Sequence, residues 1–243
     1  MTKIKICGLS RNEDISYVNE AKPDYVGFIL HFPKSRRNIS SERAATLRSR
    51  LAPGVKAVGV FVNQPVQIVA EAAALIGLDV IQLHGQEDDA YITDLREIIA
   101  HDAPMSYRQE DDAHIFALRK RGPCGRPTTM SWMHTSASGN RGTLPIWKAF
   151  KIRSAADLAA AEKSTADEIL LDNGYGTGAA FAWSLLEGFH RPFMLAGGLT
   201  PENITDAIRT LRPKLVDISS GVETDGLKDR NKILDAVRAV RQF

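Results

Sequence analysis

Three observations predict an α/β protein of the (β/α)8 TIM-barrel class, with an insertion between helix 4 and strand 5. Short β-branched runs alternate eight times with longer stretches of helical periodicity, as parallel strands joined by crossover helices require. The chain has 243 residues, close to the roughly 250 of one such barrel. Polar residues and glycines gather where the strand runs end, the face on which barrels build their sites. An open doubly wound sheet is the alternative, and eight units favour closure. Residues 1–243 are therefore expected to form a single domain.

Strands are predicted at 3–7, 25–30, 56–62, 80–84, 145–150, 168–172, 193–196 and 215–219. Strand 1 has two chemically opposite faces. Side chains alternate along a strand, so Ile4 and Ile6 point one way and Lys3, Lys5 and Cys7 the other. Helical periodicity fills 41–51, 66–76, 155–162, 201–211 and 229–240. Ser40 or Ser41 suits the start of the first of these, and Pro201 the first turn of the fourth.

The interval from His84 to Pro145 is more than twice the usual strand spacing. It contains a near-repeat: the run from Gln86 to Arg96 recurs from Gln109 to Arg119. One echo is a local duplication, since a solenoid needs several stacked units. The first copy follows directly on strand 4 and is read as helix 4. The second copy, with the Gly/Pro/Ser/Thr-rich stretch 121–143, then forms an insertion over about 101–143. An αβ connection emerges on the face opposite the chemistry. A loosely packed excursion is the commoner fate of such a segment. A homodimer contact is the competing reading, with Ile115, Phe116, Leu118, Trp132 and Met133 as anchors.

Composition narrows the function classes. Hydrophobic residues make up 44% and charged residues 25%, enough apolar content for a sizeable core. A net charge of +2 is far from the basic balance of a nucleic-acid binder. No run is long and apolar enough for a membrane span, and the N-terminus does not read as a leader. Only two cysteines, Cys7 and Cys124, argue against a disulfide scaffold and for a reducing, cytoplasmic location.

Two strand ends carry candidate chemistry. Cys7 ends strand 1 beside Lys5, and a nearby positive charge lowers a thiol pKa and makes it a usable base. Asp172 ends strand 6 as a candidate acid. Gly197-Gly198 follows strand 7, and Ser219-Ser220-Gly221 follows strand 8. The loops after these two strands are where barrels commonly bind phosphate on free backbone N–H groups. Arg36 and Arg37 lie in a basic loop with Lys34, and a guanidinium can hold a carboxylate in two-pronged fashion. His84, taken alone, reads as a hydrogen-bonded core histidine. No His/Cys/Asp spacing resembles a metal site. The run from Gly174 to Gly178 lacks the lysine of a P-loop and is weak evidence for a nucleotide.

Collinear motifs over residues 3 to about 240, with 100–143 unmatched, resemble the phosphoribosylanthranilate isomerase family of tryptophan biosynthesis. They include Lys5-Ile6-Cys7-Gly8, Ser35-Arg36-Arg37, Gln82-Leu83-His84-Gly85, Leu170-Leu171-Asp172, Gly176-Thr177-Gly178 with Phe181 and Trp183, Ala196-Gly197-Gly198, and Asp217 through Glu223. The resemblance implies an Amadori rearrangement of a phosphorylated small molecule, without cofactor or metal. Cys7 would be the general base and Asp172 the general acid. Arg37 would bind the anthranilate carboxylate, although the family usually has Ser-Pro-Arg where this chain has Ser-Arg-Arg. Lys5, Gln82, His84 and Asp217 would contact substrate, and Gly197, Gly198, Ser219, Ser220 and Gly221 the phosphate. Two further readings are an isomerase that also serves histidine biosynthesis and a barrel that only binds a phosphorylated ligand. A turnover assay separates them.

Overall fold

The computed structural model describes residues 1–101, 144–172, 186 and 188–243. Its centre is a closed parallel barrel. The strands are β1 (Lys3–Cys7), β2 (Tyr25–Leu30), β3 (Lys56–Phe61), β4 (Val80–Leu83), β5 (Ile146–Lys151), β6 (Glu168–Asp172), β7 (Phe193–Ala196) and β8 (Leu215–Ile218). Each pairs with the next, and β1 closes the ring by pairing with both β2 and β8. Outside it lie α1 (Asn12–Ala21), α2 (Ser41–Arg48), α3 (Val66–Ile76), α4 (Asp89–His101), α5 (Ala155–Lys163), α6 (Ile204–Leu211) and α7 (Arg230–Val240). No helix among the described residues is long and apolar enough to cross a membrane.

The alternation of β1 decides its two environments. Ile4 and Ile6 are fully buried in the layer between sheet and helices. Cys7 joins the inner cluster with Val60, Ala149, Leu170 and Ala196, and Lys5 is completely buried. The opposite mouth of the barrel holds Tyr25 edge-on to Trp147, with ring centroids 4.9 Å apart. These rings form an apolar layer beneath the polar groups.

Several boundaries differ from the sequence reading. The helix expected from 201 starts at Ile204, because the Asn203 side chain folds the preceding residues into a turn. Its Oδ1 accepts from Thr200 N at 2.8 Å, and its Nδ2 donates to Gly198 O at 2.9 Å. Ser40 caps α2 by accepting from Arg43 N, and Asp229 caps α7 through Asn231 N and Lys232 N. A two-residue strand, Asn38–Ile39, extends the sheet beside β2. Glu223–Thr224 and Leu227–Lys228 form a small antiparallel hairpin. Its turn residues Asp225 and Gly226 both have positive φ, the geometry that an Asp-Gly pair favours.

The first copy of the near-repeat forms α4, with Ile92 and Leu95 fully buried against the barrel. The chain re-enters the barrel at Ile146, so the insertion connects α4 to β5. The second copy, the stretch 121–143 with Cys124, and the run 174–178 with Phe181 and Trp183 lie outside the described residues.

Candidate active site

The strand ends surround a cavity of about 350 Å³. Cys7, Arg37, Gln82, His84, Asp172, Gly197, Gly198, Asp217, Ser219 and Ser220 all line it. Ser35 and Lys151 line it as well, and Ile29, Phe32, Val60 and Val62 supply an apolar wall. Lys5 lies beneath the floor and is reached only through its neighbours. Gly221 is not in the lining. A side chain there would run into the Leu199 carbonyl oxygen at 1.9 Å, so its bareness lets the loops after β7 and β8 pack together. Arg36 is outside the lining and its side chain is 59% exposed, which leaves Arg37 as the loop arginine facing the cavity.

One hydrogen-bonded chain crosses the barrel. Lys5 Nζ donates to Asp217 Oδ2 at 2.8 Å and to Gln82 Oε1 at 2.9 Å. The first contact follows from register, since Lys5 and Asp217 are paired across β1 and β8. Gln82 Nε2 lies 2.9 Å from His84 Nδ1, and His84 Nε2 lies 3.1 Å from Asp172 Oδ2. An ammonium has no acceptor, so the Gln82 oxygen must face Lys5 and its NH2 must face His84. Nδ1 therefore accepts, and the ring proton sits on Nε2, which donates to Asp172.

Burial works against the Lys5 ammonium, but Asp217 and Cys7 outweigh it and raise its pKa above the ordinary lysine value. The sequence reading of Cys7 needs correction. Burial pushes its thiol above the ordinary value, and Asp217 adds to that. Lys5, and more weakly Lys228, pull in the other direction without prevailing. Removing an anion from water outweighs a nearby positive charge here. Asp217 Oδ1 is buried with no hydrogen-bond partner among the described residues.

Sequence reasoning missed Glu223 and Lys228 as site residues. Arg37 Nε donates to Glu223 Oε1 at 2.6 Å and Arg37 Nη2 to Oε2 at 2.8 Å. Lys228 Nζ donates to Glu223 Oε1 at 2.7 Å and to Ser219 O at 2.9 Å. The available signal was a glutamate shortly after strand 8, followed by an Asp-Gly turn. A larger cleft of about 630 Å³ opens beside the cavity. Its buried charges, Glu87 and Lys148, are engaged with the backbone of Asn63, Gly85 and Ala149, which makes them braces for the loops.

A family model described as N-(5'-phosphoribosyl)anthranilate (PRA) isomerase matches residues 4–118 and 134–239. The chain belongs to this isomerase family. An N-(5'-phosphoribosyl)anthranilate isomerase of Acetivibrio thermocellus is 38% identical over 250 residues, covering 100% of this chain and 97% of the relative. Its counterpart in Caldanaerobacter subterraneus is 37% identical, covering 99% and 98%. The solved phosphoribosyl anthranilate isomerase of Thermotoga maritima is 31% identical, with a TM-score of 0.74 and full coverage of both chains. A further isomerase structure, 30% identical with a TM-score of 0.74 and the same coverage, holds reduced 1-(o-carboxyphenylamino)-1-deoxyribulose 5-phosphate. The barrel is thus a PRA isomerase of tryptophan biosynthesis.

Proposed function

We propose that this isomerase converts N-(5-phosphoribosyl)anthranilate to 1-(2-carboxyphenylamino)-1-deoxyribulose 5-phosphate, with Asp172 as general acid and Cys7 as general base. The carrying observation is one cavity that receives a carboxylate from β6 and a thiol from β1, between Arg37 and the loops after β7 and β8. Asp172 protonates the furanose ring oxygen. The bond from that oxygen to C1 breaks, and the anilino nitrogen pair forms an iminium. Cys7, as thiolate, removes the C2 proton. The electron pair left behind becomes the C1–C2 double bond of an enolamine, which tautomerises to the ketone.

Burial leaves Cys7 a reluctant anion, so it needs help to ionise. Lys5 gives part of it, and the iminium formed in the first step gives the rest. His84 Nε2–H steadies the Asp172 carboxylate once its proton has gone. Asp217 Oδ1, buried without a hydrogen-bond partner among the described residues, suits a sugar hydroxyl. Arg37 takes the ring carboxylate, and Gly197, Gly198, Ser219 and Ser220 the phosphate, with Gly221 allowing the close packing of their loops. Residues 1–243 act as one barrel domain, with 101–143 as its insertion, in the cytoplasm. A homodimer is part of the same proposal, since a Thermotoga maritima relative is described as dimeric.

Complementation of a tryptophan auxotroph lacking this isomerase tests the reading. The unmodified gene should restore growth. Cys7→Ala and Asp172→Asn should each lower kcat at least about a hundredfold, the scale of a lost base or acid, with circular dichroism unchanged. Near-normal turnover in either variant removes that residue from the mechanism.

A further inference from the structure

Glu223 sits where three cations meet. Its side chain is 4% exposed, and Arg36, Arg37 and Lys228 all donate to it. The manner of the Arg37 contact is informative. Nε and Nη2 form one edge of the guanidinium, and Glu223 takes both. A guanidinium has five donors in a fixed fork, so three remain, two of them side by side along the Nη1/Nη2 edge. That edge suits a second carboxylate, and Arg37 lines the cavity. The stem of Arg37 passes close over Gly8, where a Cβ would lie 2.4 Å from its Cδ.

The same carboxylate reaches the other end of the substrate. Lys228 Nζ bridges Glu223 Oε1 and the carbonyl of Ser219, which begins the loop after β8. Ser219 Oγ in turn donates to the carbonyl of Cys7 at 3.1 Å. Three cations against one anion leave a net positive hub, as a ligand with two anionic groups needs.

We propose that Glu223 is a positioning residue: it aims Arg37 at the ring carboxylate of the substrate and, through Lys228, sets the spacing from that carboxylate to the phosphate loop. This rests on the reading of Arg37 given above. The competing view is that Glu223 only ties its hairpin to the barrel.

Two stable ligands separate these views: the reduced rearrangement product made from anthranilate, and the same molecule made from aniline, which lacks the ring carboxylate. Calorimetric titration gives Kd for each with unmodified enzyme, Glu223→Gln, Arg37→Ala, Arg36→Ala and the Glu223→Gln/Arg37→Ala double variant. Glu223→Gln should weaken the carboxylated ligand at least about tenfold, the scale of a disturbed charged hydrogen bond, and the aniline ligand by less than about twofold. The double variant should be no weaker than Arg37→Ala, because two residues in one chain of action are not additive. Arg36→Ala should change either ligand far less than Arg37→Ala does.

Equal losses on both ligands for Glu223→Gln, with the Arg37→Ala loss confined to the carboxylated one, overturn the positioning role alone. Equal losses on both ligands for Arg37→Ala overturn the reading of Arg37 itself. A larger loss in Arg36→Ala than in Arg37→Ala moves the carboxylate contact one residue back and also overturns the proposal. If Glu223→Gln does not fold, Glu223→Asp decides by the same selectivity, since it keeps the charge and shortens the reach.

Discussion

Cys7 is 7% exposed at the cavity floor, and that burial governs its chemistry more than its lysine neighbour does. A thiol whose pKa is raised stays protonated in the free enzyme at neutral pH and ionises only as pH climbs past the ordinary thiol range. In a Cys124→Ser background, iodoacetamide should therefore modify Cys7 with a pH midpoint above that of a free thiol. A midpoint at or below the free-thiol value would show that Lys5 prevails over desolvation, against the cause assigned above. The ring beside Asp172 obeys a different constraint. Lys5 dictates how the Gln82 amide lies, and the amide dictates which nitrogen of His84 carries the proton. A charge at the barrel centre thereby fixes a donor at its rim.

At the scale of elements, the hairpin after β8 carries a pH dependence of its own. Burial opposes ionisation of Glu223, but the bonds from Arg37 and Lys228 outweigh it and hold the carboxyl down to about 2, against 4.5 in the open chain. A depressed carboxyl contributes stability that is complete above its unfolded value and lost as pH falls through its folded one. The difference amounts to about 3 kcal/mol. Urea unfolding from about pH 5 to about pH 3 should show a steeper loss of stability in unmodified enzyme than in Glu223→Gln. Parallel losses would discount the pairing as a source of stability. Elements of this kind also mark how far the sequence was legible. Most barrel strands announce themselves as largely apolar runs, and β1 by strict alternation of Ile with Lys or Cys, so their order and most of their ends could be read directly. The start of α6 could not, because one asparagine side chain competes with the helix for the backbone of Thr200. The pair Asn38–Ile39 has too few residues for a period. Cys7, Asp172 and Arg37 were legible as residue types at strand ends or in a loop. The engagement of Arg37 with Glu223 was not, since the two are 186 positions apart.

For the whole molecule, the position of the insertion matters more than its length. Its described neighbours, the end of α4 and the start of β5, lie toward the barrel mouth that holds Tyr25 and Trp147, opposite the strand ends that carry Cys7 and Asp172. Removing about 101–140 should leave kcat and KM of the isomerase within about threefold, as expected of a change distant from reacting groups. Loss of substrate binding with the fold intact would mean that the segment covers the site instead.

The segment also divides the groups gathered at the strand ends. Cys7, Arg37, Gln82 and His84 precede it, and Asp172, Gly197, Ser219 and Glu223 follow it. Neither portion holds both the proposed acid and the proposed base, and β1 must find β8 in the other portion before the ring exists. A gene cut within 102–143 would thus encode two silent polypeptides whose joint turnover, at low expression, rises with the product of their concentrations. Fused to any two proteins that meet, they would make growth without tryptophan a reporter of that encounter.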